Sequence, residues 1–252
     1  MFRLLVLSFL LATAAAPALA QTLRVGLAPE QPPLVFRDGE RIVGVEADNA
    51  RALGEIIGRR VELVPLASAE LLPALEQGRI DVVMSGMSIT EEHSARVQFV
   101  EPYLQAGQMA IMQIDRVSRF GQPWAVFREG IRVGVVVGSS GEAFARRDLT
   151  DAAVLAFPDL PAAMAALGGG TIDLLLHDAA TSWLLATSDD YTDLISQNHL
   201  LTEEPLAWAV RRDDAALAAE LSRALATMRA NGTLDYIIDR WIPVRAEAPQ
   251  AW

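Results

Sequence analysis

Polar residues follow several predicted strands, and they are the positions at which this chain could bind a small molecule. Gly138, Ser139 and Ser140 come after one such strand and directly before a predicted helix. Serine hydroxyls and the free N–H groups of a helix N-terminus favour an anion. The three residues therefore predict either a site for an anionic group or an ordinary helix N-cap.

Asp178 offers the opposite charge at the end of another predicted strand. A carboxylate there suits an ammonium group, although aspartate also caps helices. Trp183 follows within two helical turns and could line the same site. Ser85, Gly86 and Ser88, after a third strand, offer a carbonyl, an N–H group and hydroxyls, or else form a tight turn that packs.

None of these residues has the spacing of a catalytic or metal-binding motif. The chain contains no cysteine, which excludes disulfides, a cysteine nucleophile and thiolate metal ligands. Its histidines, His93, His177 and His199, lack HxH or HExxH spacing. We expect no catalytic residue, no metal and no cofactor. The formal net charge of −11 at pH 7 argues against nucleic acid or anionic lipid as a partner.

An internal repeat indicates which elements carry the polar residues. Leu-Arg-Val-Gly at 23–26 recurs as Ile-Arg-Val-Gly at 131–134, and the stretch 74–83 recurs at 166–175. Each copy has the pattern of an apolar strand, a helix that ends at glycine, and a buried strand. The repeat predicts two α/β lobes of similar build; coincidence between two ordinary α/β segments is the alternative.

The pattern between the repeats also alternates strands and helices. We predict helices from Asp48 to Ile57, from Ser68 to about Gln77, from Ser139 or Ser140 to Arg147, from Pro158 to Leu167, from Asp178 to Ala186, from Asp214 to Ala230 and from Leu234 to Trp241, and strands at Val61–Pro65 and Ala207–Val210. Ligands of open α/β sheets bind beyond the carboxyl ends of the strands. The strand ends should therefore face one cleft between the lobes.

The first twenty residues have the pattern of an export signal. Arg3 supplies a positive start, Leu4 to Leu11 form an apolar run, and Ala18-Leu19-Ala20 is a small-x-small cleavage site. A retained N-terminal anchor is the alternative. We expect the mature chain to begin at Gln21 and, without an N-terminal cysteine for a lipid, to be free in the periplasm.

Four stretches together resemble the polar amino-acid-binding family of periplasmic solute receptors, which includes the lysine/arginine/ornithine and histidine binders. They are Pro32-Pro33, Gly44-Val45-Glu46-Ala47-Asp48, the run from Gly78-Arg79-Ile80-Asp81 through Ser88-Ile89-Thr90 to Phe99-Val100-Glu101-Pro102-Tyr103, and Ala209-Val210-Arg211-Arg212-Asp213-Asp214 with Gly232 and Trp241. They occur in the family's order and with matching spacing, which makes the resemblance specific.

The resemblance implies an α/β, two-lobed periplasmic-binding-protein fold, in which each lobe is a mostly parallel sheet flanked by helices. The implied parts are a signal peptide at 1–20, lobe 1 at 21–105 with 205–243, lobe 2 at 106–204, and a flexible tail at 244–252. Two hinge strands would cross near Leu104–Gly107 and Glu203–Leu206. The implied role is to deliver a small polar solute to an inner-membrane ABC permease, and we expect a monomer.

The resemblance also assigns roles to individual residues. Ser88 and Ser140 would bind the ligand's carboxylate, and Asp178 its amino group. However, His93 stands where the family has an arginine that clamps this carboxylate. Arginine offers a permanent bidentate charge, whereas histidine, with an unperturbed pKa near 6.5, mostly does not at neutral pH.

Further departures affect the rest of the site. The family's aromatic residues that sandwich the ligand side chain fall on Gln31 and Ser68, and a frequent acidic residue after the first strand falls on Ala28. If the alignment slips by one residue near Gln31, Glu30 takes the role of Gln31 instead. Without the arginine, carboxylate binding should weaken by several kcal/mol. We therefore expect an amine or a modified amino acid rather than a standard α-amino acid, or a pocket without affinity.

Three functions remain open from the sequence. The first is a transport receptor, and the second is a sensor or accessory protein that kept the fold and altered the pocket. The third is a secreted enzyme of the same fold, such as a cyclohexadienyl or arogenate dehydratase. Since no acid or base is marked as catalytic by its spacing, we predict that the protein is not an enzyme.

Overall fold

The computed structural model describes residues 22–188 and 191–242, which form two five-stranded sheets, two smaller sheets and nine α-helices. The strands are β1 (Leu23–Leu27), β2 (Glu30–Gln31), β3 (Val35–Asp38), β4 (Arg41–Val43), β5 (Val61–Pro65), β6 (Val82–Val83), β7 (Val97–Phe99), β8 (Leu104–Ala106), β9 (Gln108–Gln113), β10 (Arg132–Val136), β11 (Ala153–Phe157), β12 (Leu174–Asp178), β13 (Leu194–Ser196), β14 (Glu204–Leu206) and β15 (Ala209–Arg211). The helices are α1 (Val45–Ile57), α2 (Ser68–Glu76), α3 (Glu91–Arg96), α4 (Val117–Phe120), α5 (Ser140–Asp148), α6 (Leu160–Gly168), α7 (Ala179–Thr187), α8 (Ala215–Ala230) and α9 (Thr233–Trp241), with 3-10 turns at Ile114–Arg116 and Pro123–Phe127. The predicted signal peptide, the start of the mature chain at Gln21 and the tail at 244–252 lie outside the described residues.

The two large sheets share one plan. The first has the order β5-β1-β6-β15-β7, and the second has the order β11-β10-β12-β9-β13. In each, three parallel strands are followed by a strand that runs antiparallel to both of its neighbours, β15 in the first sheet and β9 in the second. The predicted two-lobed α/β fold is confirmed, and the antiparallel strand of each sheet is the one that follows a crossing between the lobes.

The crossings are β8 and β14, which pair antiparallel with each other. They match the two crossing strands predicted near Leu104–Gly107 and Glu203–Leu206. Gly107 passes so close to the return segment that a Cβ atom would lie 2.0 Å from the carbonyl oxygen of Thr202. Glycine is therefore required where β8 leads into the second lobe. None of the described helices has both the length and the hydropathy to span a membrane.

The sequence repeat corresponds to repeated contacts. Val25 pairs with Val82 in the first sheet, as Val133 pairs with Leu174 in the second. In both sheets the arginine before this valine of β1 or β10 is bonded to an aspartate that precedes the neighbouring strand. Arg24 donates to Asp81 through its backbone N–H and guanidinium, and Arg132 donates to Asp173 in the same way.

Several predicted helix starts are corrected by the capping contacts. α1 begins at Val45 rather than at Asp48, because the N–H groups of Val45 and Glu46 are bonded to carbonyls of the preceding loop. Asp48 instead accepts hydrogen bonds from the indole of Trp241 and from Arg51. Ser68, whose residue type favours an N-cap, is instead the first residue of α2, and Ala67 is the N-cap.

In the second half, α6, α7 and α8 begin one or two residues after their predicted starts, whereas α9 begins at Thr233, one residue before the predicted Leu234. Ser139 is the N-cap of α5, Asp159 caps α6 in place of Pro158, and Asp178 caps α7. The predicted strand at Ala207–Val210 starts later, at Ala209, and ends later, at Arg211, and the preceding Trp208 is fully buried. β5 has the predicted bounds.

Replacing Asp173 by Asn should reduce the free energy of unfolding at pH 7 by about 1–3 kcal/mol, since the aspartate accepts three hydrogen bonds from Arg132. The bond from the Arg132 guanidinium holds the pKa of Asp173 below its usual value, despite partial burial. A lowered pKa contributes stability that is present above the unfolded-state pKa and lost as pH falls. Urea unfolding should thus show that the difference in free energy of unfolding between the wild type and the Asp173→Asn protein becomes smaller below about pH 4.

Asp213→Asn is the control, because that side chain is 90% exposed. It should leave stability unchanged. Equal stability of the Asp173→Asn protein and the wild type at pH 7 would contradict a structural role for the repeated pair.

Candidate functional site

A cleft of about 520 Å³ lies between the two lobes, with the crossing strands β8 and β14 at its base. Its lining comprises Glu30, Gln31, Pro32, Leu34, Gly86 and Ser88 from the lobe that contains β1, Leu160, His177, Asp178, Ala179, Ala180, Thr181, Trp183 and Leu184 from the lobe that contains β10, and Ala106, Gly107, Glu204 and Leu206 from the crossings. The lining follows the ends of strands from both halves, as expected of an open α/β sheet.

Four of the nine residues predicted for the site line this cleft. Gly86 and Ser88 lie on one side of it and Asp178 lies on the other, with Gln31 beside the first pair. Trp183, which was expected to be a possible wall residue, also lines it. The structure therefore brings together residues that are far apart in the sequence.

The other five predicted residues lie outside the lining. Ser85 is buried, and its hydroxyl accepts a hydrogen bond from the N–H group of Ala28 at 2.9 Å. Ser68 is exposed at the start of α2. The hydroxyl of Ser139 caps α5 by accepting from the N–H group of Glu142 at 3.1 Å. These contacts are those of ordinary turns and caps.

His93 lies in the short helix α3, in contact with the segment that contains Ser88. Its Nδ1 atom is 2.9 Å from the carbonyl oxygen of Ser88, and its backbone N–H donates to the hydroxyl of Thr90. His93, at the family's arginine position, therefore does not line the cleft itself but contacts Ser88, which does.

Ser140 contacts the protein rather than open cleft space. Its hydroxyl lies 3.0 Å from Nε2 of Gln108, and the same amide nitrogen lies 3.1 Å from Oε1 of Glu204. The hydroxyl of Thr202 also donates to Glu204, at 2.9 Å. Sequence reasoning missed Gln108 and Glu204, although the predicted hinge position of Glu204 was a usable signal.

Asp178 both caps α7 and faces the cleft. Its carboxylate accepts from the N–H group and the hydroxyl of Thr181, and the Nδ1 atom of His177 lies 2.5 Å from Oδ2. Burial would raise the pKa of Asp178, but contacts with His177 and Thr181 keep it below its usual value. Because 46% of the side chain stays exposed, a negative charge faces the cleft at neutral pH.

Residues 23–244 match the model of the bacterial extracellular solute-binding proteins, family 3. The chain belongs to this family. The match confirms the resemblance carried by the four sequence motifs, and the solute-receptor role predicted from them is the role of the family. Within the described residues, no three His, Asp or Glu side chains are grouped as a metal site would require.

Most of the relatives within the family are binding proteins. A glutamine-binding protein of an ABC transporter from Bacillus subtilis (strain 168) is 30% identical over 208 residues, which cover 80% of this chain and 73% of the relative. The solved structure of an ancestral cationic amino acid solute-binding protein has a TM-score of 0.75 at 29% identity, covering 88% of this chain and 95% of that one. A cyclohexadienyl dehydratase from Pseudomonas aeruginosa is 26% identical over 224 residues, covering 88% and 83%.

Behind the cleft, the fully buried carboxylate of Glu46 joins the cleft wall to both crossings. Oε1 accepts from the N–H group of Gly86 at 2.6 Å and from the hydroxyl of Tyr103 at 2.8 Å, and Oε2 accepts from the indole of Trp208 at 3.0 Å. Tyr103 precedes β8 and Trp208 follows β14. Burial raises the pKa of Glu46 to about 6, and the three hydrogen bonds oppose a larger rise.

Removing the hydroxyl of Tyr103 by substitution with Phe should destabilise the protein at pH 7 by about 1–3 kcal/mol, because the buried carboxylate loses a donor. The folded-state pKa of Glu46 lies above its unfolded-state value, so this residue contributes stability that is lost as pH rises through about 6. The substitution Tyr103→Phe should therefore reduce the free energy of unfolding more at pH 7 than at pH 5, and urea unfolding at the two pH values measures the difference.

Tyr236→Phe provides the matched control, since Tyr236 is 70% exposed and should tolerate the change at both pH values. Equal losses for Tyr103→Phe at pH 5 and pH 7 would show that the hydroxyl does not stabilise the charged form of Glu46.

Proposed function

We propose that the protein captures a small polar, amine-bearing or amino-acid-like solute in the cleft and delivers it unchanged to an inner-membrane ABC importer. The observation that carries this proposal is the position of the Asp178 carboxylate, which faces the cleft across from Gly86 and Ser88. A carboxylate suits an ammonium group, and the facing N–H and hydroxyl suit polar groups of the solute. Gln31 would contact the solute beside them.

The relatives support the transport role. Those named as glutamine-binding and arginine-binding proteins of ABC transporters cover most of this chain. An N-terminal signal peptide at 1–20 would place the receptor in the periplasm, where it would act as a monomer. Lobe 1 (21–105 with 205–243) and lobe 2 (106–204) would close about β8 and β14 when the solute binds.

A panel of candidate solutes tests the proposal directly. Protein unfolded and refolded to remove bound ligand is assayed by thermal shift with L-arginine, L-glutamine, L-histidine, L-ornithine, putrescine, agmatine, choline and glycine betaine. A solute at a thousand times its dissociation constant adds roughly 4 kcal/mol of stability. If no compound of any class shifts the unfolding temperature, the receptor proposal fails.

A dehydratase is the second candidate, and one contact favours it. His177 and Asp178 lie side by side in the cleft, which is the geometry that an acid–base pair requires. Asp178 also caps α7, and its backbone N–H donates to Nδ1 of His177, which accounts for the contact without catalysis. Chromatography of each panel compound after incubation separates the two functions, since a receptor leaves the compound intact and an enzyme consumes it.

Asp178→Asn should weaken binding of the tightest panel compound by at least about tenfold, because the amide keeps the helix cap but removes the charge. Isothermal titration calorimetry measures the change. Asp159→Asn is the matched control: Asp159 caps α6 in the same lobe through the same kind of bond and lies outside the cleft lining. An unchanged dissociation constant for Asp178→Asn would remove Asp178 from the site.

A further inference from the structure

The ionisable side chains that line the cleft are predominantly acidic. Three carboxylates, those of Glu30, Asp178 and Glu204, face it, and His177 is the basic residue among them. The chain has 21 lysine and arginine residues in total, all of them arginines, and none of the described residues in the lining is one of them. A solute carboxylate would therefore find no permanent positive charge in this cleft.

Glu204 lies close to the position where an anion would be expected from the sequence. The N-terminus of α5 carries Ser140, but Gln108 connects its hydroxyl to the Glu204 carboxylate through a single amide nitrogen. A carboxylate of the protein thus lies beside this helix end. A second carboxylate, brought by a solute, would be repelled by the first.

Gln108 is held firmly in this arrangement. It is 2% exposed, its backbone N–H donates to the hydroxyl of Thr202 at 2.8 Å, and Thr202 also donates to Glu204. A Cβ atom at Gly141 would lie 2.7 Å from the Gln108 side-chain oxygen, so the first turn of α5 packs directly against the amide. Glu204 is therefore positioned by buried contacts rather than placed by chance on a flexible surface.

Apolar side chains form much of the remaining lining. Leu34 and Leu206 lie towards the β1 lobe and the crossing, and Leu160 and Trp183 belong to the β10 lobe. Such a lining suits the alkyl body of a solute, whose charged ends would be directed to the carboxylates. The cleft thus combines apolar walls with negative charge.

We infer that the solute is an organic cation without a carboxylate, such as a primary amine or a guanidinium compound, and that Glu204 is the residue that discriminates against the carboxylated form. The inference rests on the proposed receptor function and defines its substrate class. Asp178 binds the cation from one side of the cleft, while Glu204 adds negative charge at the base and repels an α-carboxylate.

Two matched pairs of compounds test the substrate class. Agmatine and L-arginine differ by the carboxylate alone, as do putrescine and L-ornithine. Isothermal titration calorimetry on the ligand-stripped full chain should show that the amine of at least one pair binds at least about tenfold tighter than its amino acid. Equal or tighter binding of both amino acids would overturn the inference.

Glu204→Gln tests the discriminating residue while keeping its size and its acceptor oxygen. Binding of the preferred amine should weaken by at least about tenfold, and the ratio between the amine and its amino acid should narrow. Glu203→Gln is the matched control, because the neighbouring glutamate is exposed and lies outside the lining. If Glu204→Gln leaves the ratio as it was in the wild type, Glu204 is not the discriminating residue.

The outcomes also separate this inference from the proposed function. If a carboxylated compound of the panel binds tightest, the receptor proposal stands and the inference is overturned. If no compound binds, the receptor proposal fails and the inference fails with it. Thermal unfolding of the Glu204→Gln protein, which keeps the hydrogen bonds to Gln108 and Thr202, establishes that it is folded.

Discussion

The buried carboxylate of Glu46 is the interaction on which the geometry of the cleft depends. A fully buried charge is costly unless each oxygen accepts hydrogen bonds. The donors here come from the cleft wall at Gly86 and from the ends of both crossings in the β1 lobe, at Tyr103 and Trp208. Because one carboxylate requires all three, a displacement of the wall or of either crossing leaves polar groups unpaired. The cleft wall at Gly86 and the ends of both crossings in the β1 lobe are thereby fixed relative to each other.

The repeated half-structures explain why the cleft forms between the lobes. Each sheet places a parallel β-α-β unit in the same register and fastens it with an arginine–aspartate pair, Arg24 with Asp81 and Arg132 with Asp173. Equivalent strands therefore run in the same direction and register in the two lobes. The paired crossings β8 and β14 join these halves, so polar residues at strand ends face one another across the gap.

The sequence alone was sufficient for the features that depend on local pattern. Glycine after a helix, apolar strands and the repeated Arg-Val-Gly predicted the lobes, and strand ends predicted Gly86, Ser88 and Asp178 in one cleft. It was insufficient where the partner of a polar side chain is remote. Ser140 would lie at a helix N-terminus whether its hydroxyl bound a solute or another side chain. Only the fold brings Gln108, 32 residues away, into contact with this hydroxyl.

The same reason explains the mistaken emphasis on Asp48 and the omission of Glu204. Glu46 and Asp48 lie two residues apart in one motif. No local pattern shows that Glu46 is buried whereas Asp48 accepts a hydrogen bond from Trp241. Glu204 contacts Gln108, which is 96 residues away, across a crossing between lobes. Contacts of that range depend on how the two halves are assembled, which a single sequence does not encode in any short motif.

The acidic cleft has a consequence for closure as well as for binding. When two lobes approach, they remove water from the groups between them, and a carboxylate that faces the cleft then loses its hydration on that side. Asp178 and Glu204 would both incur this loss around a neutral solute, whereas a cation compensates it with a direct charge pair. On this account, positive charge on the solute is a condition for closing the lobes. A compound that fits the apolar walls but lacks the charge would remain in an open cleft and would not complete the receptor's conformational change.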